Sequence, residues 1–170
     1  MPIWNAYRRI AIVGISGAGK STLARRLAGL TGLPTVYMDR IFWTRNWQPV
    51  PEAVYLAQHA RLIDAPEWII EGFVEPSMAE RLRRSDLVLY LDYSGVRCTW
   101  QVLRRWVLHR KVSRPELPSE ALDWIDARFL RLVLTRGERR HIEAALAAAR
   151  PTRLERFASP GALERFLASR

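Results

Sequence analysis

Gly14-Ile15-Ser16-Gly17-Ala18-Gly19-Lys20-Ser21 is the stretch whose reading decides the fold. It fits G-x-x-x-x-G-K-[ST] at every fixed position. The apolar run Ile10-Ala11-Ile12-Val13 comes directly before it, and the helical pattern Thr22-Leu23-Ala24-Arg25-Arg26-Leu27-Ala28 directly after. Strand, glycine loop and helix form the setting a phosphate-binding loop requires. Glycines let the backbone take positive φ and approach a polyphosphate with no Cβ in the way. Successive N–H groups then turn inward as an anion nest, and the helix that starts near Lys20 adds its positive end. Gly14, Ser16, Gly17, Ala18 and Gly19 are candidate backbone contacts. The Lys20 ammonium suits the β- and γ-phosphates, and the Ser21 hydroxyl suits Mg²⁺. The chain is therefore expected to bind a nucleoside triphosphate.

The rest of the composition narrows the class. A length of 170 residues suits one domain with a proper core. No apolar run reaches membrane-span length, and Met1-Pro2-Ile3-Trp4-Asn5 lacks the charged-then-apolar shape of a signal peptide, so a cytoplasmic protein is expected. Cys98 is the only cysteine, which excludes an internal disulfide and a cysteine-cluster zinc site. It reads as a small packed thiol rather than a reactive one. His59, His109 and His141 show no metal spacing. The formal charge of +10 raises nucleic acid as a partner. It equally suits an enzyme that holds several phosphates with arginine. Arg104, Arg105, Arg110, Lys111 and Arg114 run with no acidic residue between them, which favours a local phosphate site.

Strand and helix signals alternate along the chain. Thr35–Met38 reads as a second strand ending at Asp39, followed by an aromatic loop with Ile41-Phe42-Trp43 and Trp47-Gln48-Pro49. Glu52 to Ala65 has helical spacing. Trp68-Ile69-Ile70 is a third strand, Met78 to Arg84 a short helix, and Leu87–Leu91 a buried fourth strand. A long helix from Gly95 to His109 shows an apolar stripe of Val96, Trp100, Leu103 and Val107. Lys111 to Pro118 is a loop. Helical patterns return over Ser119–Leu134, with Leu122, Ile125, Phe129 and Leu132 on one side, and over Glu138–Ala149. Thr152–Ala158 is ambiguous by pattern, and Gly161–Ser169 closes the chain as a helix. The expected fold is α/β: a mostly parallel sheet with helices on both faces, in one domain over 1–170. The substrate-binding insertion falls at about 39–66 and a short lid at about 104–118.

In such sheets ligands bind beyond the carboxyl ends of the strands. Asp39 can orient a substrate hydroxyl or take its proton, and Arg40 can hold an anionic group on that substrate. Glu71 follows an apolar strand and can hold the hydration shell of Mg²⁺. Gly72 permits close approach of a second substrate, and Trp43 and Trp47 can stack on it. Arg105, Arg110 and Arg114, with Arg104, suit charge stabilisation over a transferred phosphoryl group. Arg128 and Arg131 can face the same phosphates. Arg136, Arg139 and Arg140 read as solubilising surface.

Over about residues 8–135 the chain resembles the adenylate-kinase-like P-loop kinases. Within them it is similar to the small bacterial adenylate-kinase-related proteins called DNA topology modulation (FlaR-type) proteins. The likeness rests on Gly14–Ser21 with Thr22-Leu23-Ala24, on Leu33-Pro34 and Met38-Asp39-Arg40-Ile41-Phe42-Trp43 with Trp47, and on Trp68-Ile69-Ile70-Glu71-Gly72. Arg83-Arg84-Ser85-Asp86, Tyr90-Leu91-Asp92 and the arginine-rich helix from Trp100 to Arg114 extend it. The resemblance implies a sheet of about five parallel strands in the order 2-3-1-4-5, a three-layer P-loop NTPase fold, with Thr152–Ala158 as its fifth strand. It implies ATP with Mg²⁺, held by Gly17, Gly19, Lys20, Ser21 and Thr22, and lid arginines on the phosphates. Two departures stand out: Glu71 replaces an aspartate, and Glu71-Gly72-Phe73 is followed by Val74-Glu75-Pro76 where adenylate kinases proper carry proline and arginine.

The favoured expectation is an ATP-dependent kinase of a small-molecule acceptor, with a nucleoside monophosphate as one candidate. The alternative is a nucleotide-binding regulator with affinity for DNA.

Overall fold

The computed structural model describes residues 3–44, 46, 48–72, 77–109 and 125–169. Five parallel strands form one sheet: β1 (Arg9–Gly14), β2 (Thr35–Tyr37), β3 (Trp68–Glu71), β4 (Leu87–Leu91) and β5 (Leu154–Phe157), in the order β2-β3-β1-β4-β5. This is the expected order. β1, β3 and β4 are buried almost throughout, because each is flanked by strands and covered on both faces; hence their near-continuous apolar runs. The register pairs Ile12 with Glu71 on one side and Leu89 on the other, so the strands end together at one edge of the sheet.

The helices are α1 (Lys20–Thr31), α2 (Met38–Phe42), α3 (Glu52–Asp64), α4 (Met78–Arg84), α5 (Gly95–His109), α6 (Ala127–Leu134), α7 (Arg139–Ala149) and α8 (Pro160–Ala168). A 3-10 turn at Ile3–Ala6, which the sequence reading does not anticipate, buries Trp4 against Phe166. Among the described residues no helix is long and apolar enough to cross a membrane.

Four details differ from expectation. β2 is three residues long, and Met38 begins a helical turn whose first residues include Asp39. α6 starts at Ala127, because the Asp126 carboxylate accepts the Phe129 N–H at 2.7 Å and caps the helix there; residues 119–124 lie outside the described residues. On α6 it is Val133 that is buried, while Leu132 is 41% exposed. On α5 the stripe points the other way: Val96, Trp100 and Val107 are exposed, and Cys98 and Val102 are fully buried. Both sides of this helix carry apolar residues four apart, so periodicity alone favours the longer stripe. Contact with the glycine loop selects the shorter one. β5, by contrast, is a true strand despite its poor alternation; as an edge strand it is half exposed, and only Phe157 is buried.

Candidate functional site

The glycine loop leaves the carboxyl end of β1 and enters α1 through Gly19, the helix N-cap at φ 91°. The first intrahelical bond is Leu23 N–H to the Gly19 carbonyl, 3.0 Å, so the N–H groups of Lys20, Ser21 and Thr22 belong to the unpaired first turn. Ala18 N–H donates to the Ile15 carbonyl at 3.1 Å and tightens the bend. Gly17, at φ 81°, is forced to be glycine twice over: a Cβ there would stand 2.4 Å from the Cys98 carbonyl oxygen and 2.9 Å from Val102. The loop therefore lies directly on the buried face of α5. The thiol of Cys98 is pushed up to about 11, mainly by burial, which agrees with its reading as packing. A Cβ on Gly14 would stand 2.7 Å from the Leu91 carbonyl oxygen, so the loop is fixed against β4 as well.

Inside the loop, Lys20 folds its Nζ back onto the Ile15 carbonyl, 3.1 Å away. Ser21 Oγ donates to Glu71 Oε1 at 3.0 Å, joining the first turn of α1 to the end of β3. Glu71 is 1% exposed. Burial pushes its carboxyl up to about 7; the Lys20 charge, the Ser21 hydrogen bond and Arg81 oppose that, while Asp39 adds to it. Lys20, Ser21, Glu71 and Asp39 thus share one electrostatic neighbourhood at the carboxyl ends of β1 to β3. Two hard oxygens at hydrogen-bond distance beside a phosphate loop fit a magnesium ion that keeps most of its other ligands as water and phosphate. Among the described residues no group of three or more His, Cys, Asp or Glu makes an all-protein metal cage.

Asp39 and Arg40 are exposed on α2, and Trp43 is half-buried with its ring edge-on to Phe42 at 4.6 Å. Thr22 is exposed on α1. Gly72 has a different neighbour from the one expected: at φ 117° it faces Met38, whose Cβ would lie 2.9 Å from a Cβ at that position, so it seats α2 against β3. Arg104 is exposed and Arg105 half-buried on α5. Arg110, Arg114 and Trp47 lie outside the described residues. Arg128 and Arg131 are exposed on α6.

Two groups, Arg81 and Glu138, escape the sequence reading, and a third, Asp92, enters it only at the end of Tyr90-Leu91-Asp92. Arg81 is fully buried, donates from Nη2 to the Gly72 carbonyl at 2.6 Å, and among the described residues its Nε and Nη1 have no hydrogen-bond partner. Its spacing beside Met78 and Leu82 on the buried face of α4 is the signal that could have found it. Asp92, at the end of β4, gathers Arg136, Arg139 and Arg156; Arg139 Nε lies 3.1 Å from its Oδ1 and Arg156 Nε 2.8 Å from its Oδ2. Arg136 and Arg139 are therefore structural ion-pair partners rather than free surface charge. Arg140 is exposed, as expected. Glu138, in the turn between α6 and α7, accepts the Ser16 N–H at 2.6 Å and the Ser16 hydroxyl at 3.1 Å, although 122 residues separate the two in the chain.

Known proteins resemble this chain in three ways. A family model described as 50S ribosome-binding GTPase matches residues 9–114. Shikimate kinase of Paramagnetospirillum magneticum is 32% identical over 109 residues, 49% of this chain and 55% of that protein. Shikimate kinase of Halorhodospira halophila is 38% identical over 71 residues, 38% of this chain and 40% of that protein. The chain thus spans about half the length of these curated relatives or less. Among solved structures, shikimate kinase from Bacteroides thetaiotaomicron superposes with a TM-score of 0.59 at 15% identity over 96% of each chain, a likeness of fold.

Proposed function

Because the chain belongs to the P-loop family described as 50S ribosome-binding GTPase, we infer that its glycine loop holds a nucleoside triphosphate, and we propose that it transfers the terminal phosphoryl group to a hydroxyl of a small molecule. The observation that carries this reading is the convergence of Lys20, Ser21 and Glu71 with Asp39, which sets phosphate-holding groups beside a carboxylate able to receive a proton. The partial similarity to shikimate kinases supports the same reaction class. ATP is the donor in this reading. Ser21 and Glu71 would hold Mg²⁺, which supplies neutralising charge on the phosphates. Lys20 leaves the Ile15 carbonyl and takes the β- and γ-phosphates. Asp39 accepts the hydroxyl proton as the acceptor oxygen bonds to phosphorus and the diphosphate oxygen leaves. Arg105 supplies positive charge to the transferred group, together with Arg110 and Arg114 beyond the described residues.

The adenylate-kinase-related resemblance names nucleoside monophosphates as acceptors, whereas the curated relatives are named for shikimate. Both therefore belong in one acceptor panel, with nucleosides added, and each is tested with ATP and with GTP. Lys20→Ala is expected to lower kcat/KM by at least about a hundredfold. Transfer that persists undiminished in that variant contradicts the mechanism. The family description favours a second reading, GTP hydrolysis with water in the acceptor's place. Phosphate release from GTP at a rate no acceptor changes would select it.

A further inference from the structure

Ser16 is the third residue of the glycine loop, and both of its donors are already engaged. Its N–H and its hydroxyl point to the two carboxylate oxygens of Glu138, at 2.6 Å and 3.1 Å. A carboxylate that takes a phosphate-loop N–H stands in for a phosphate oxygen, since the same donors serve either anion. The position within the loop tells which phosphate. Lys20, whose role in such loops is at the β- and γ-phosphates, sends its Nζ to Ile15, next to Ser16. Ser16 therefore marks the terminal-phosphate end, away from the first turn of α1.

The carboxylate is held there by its surroundings. Glu138 sits in a turn whose neighbours on both sides, Arg136 and Arg139, are tied to Asp92 at the end of β4. An arriving γ-phosphate meets a fixed negative charge on the donor it would use, and two anions at contact distance repel strongly in a partly buried site. A diphosphate, seated on the first turn of α1, meets it less.

We propose that Glu138 is a specificity-determining residue of the nucleotide site: an internal anion that occupies the terminal-phosphate end of the loop and sets the affinity for triphosphates relative to diphosphates. This rests on the nucleotide-binding reading above.

The experiment compares wild type, Glu138→Gln and Glu138→Ala by titration calorimetry with the β,γ-imido analogues of ATP and GTP and with ADP and GDP. Gln keeps the shape and removes the charge. Both variants are expected to bind the triphosphate analogue about tenfold more tightly, with a smaller gain for the diphosphate. Hydrogen exchange on the wild type gives a readout that needs no variant: amides over 135–140 should exchange faster with the triphosphate analogue than with the diphosphate. An unchanged or reduced preference for triphosphate in folded variants, or no acceleration over 135–140, overturns this proposal alone. Triphosphate bound by neither wild type nor variants overturns it together with the nucleotide-binding reading.

Discussion

His59 is wholly buried on α3, with its Nδ1 2.8 Å from Ser77 Oγ. Burial, reinforced by the Arg81 charge, lowers its pKa from 6.5 to about 4. Between those values the unfolded chain binds a proton that the native chain refuses, so stability rises with pH across that window. Acidification from pH 7 removes this contribution progressively below about 6.5, and the loss is complete below about pH 4, on the order of 3 kcal/mol. Urea midpoints at about pH 7 and pH 4.5 check it: the wild type should lose clearly more stability than His59→Gln, and equal losses would mean that the imidazole titrates as an exposed one. At this scale Lys20 and Ser21 are legible in the sequence because a contiguous motif fixes their geometry. Arg81 and Glu138 are not, because their partners Gly72 and Ser16 are brought to them only by the folded sheet.

The contact between the glycine loop and α5 leaves no room for a side chain at Gly17. Gly17→Ala places a methyl group 2.4 Å from a backbone oxygen that no rotamer change can move, at a φ that L-residues rarely adopt. The expected cost is at least about 2 kcal/mol of stability, read from chemical denaturation, with weakened triphosphate binding because α5 must shift from the loop. A stability unchanged within about 0.5 kcal/mol would show that α5 yields easily. The same junction explains which elements could be read in advance. β1, β3 and β4 are long apolar runs between turn signals, and α1 opens from a motif, so local pattern and final environment agree. The buried side of α5 is settled by Cys98 and Val102 meeting Gly17, a long-range contact that periodicity does not contain. The start of α6 depends on one side-chain cap at Asp126, and β2 is cut short by the turn that seats Met38 beneath Gly72.

At the scale of the molecule, the turn at Ile3–Ala6 is fastened to α8. Trp4 is 3% exposed and packs edge-on against Phe166 of α8 at 5.8 Å, while Phe166 in turn meets Phe157 of β5. Trp4→Ala should cost about 3–5 kcal/mol in global stability while nucleotide affinity changes much less, because Trp4 packs on Phe166 and supplies none of the loop's phosphate-facing groups. Thermal unfolding with and without ATP separates the two effects, and a loss under about 1 kcal/mol would mean that the amino-terminal turn is not part of the cooperative unit. Among the described residues the sheet ends in two edge strands, β2 and β5. One is closed off by brevity, since β2 has three residues. The other, β5, carries Arg153, Glu155 and Arg156 along its four-residue run and just before it, with Arg153 paired to Glu155 and Arg156 held by Asp92 and Glu143. Charges fixed along an outer strand oppose edge-to-edge pairing between copies. The arginine that helps to anchor the end of β4 therefore also guards the protein against its own aggregation.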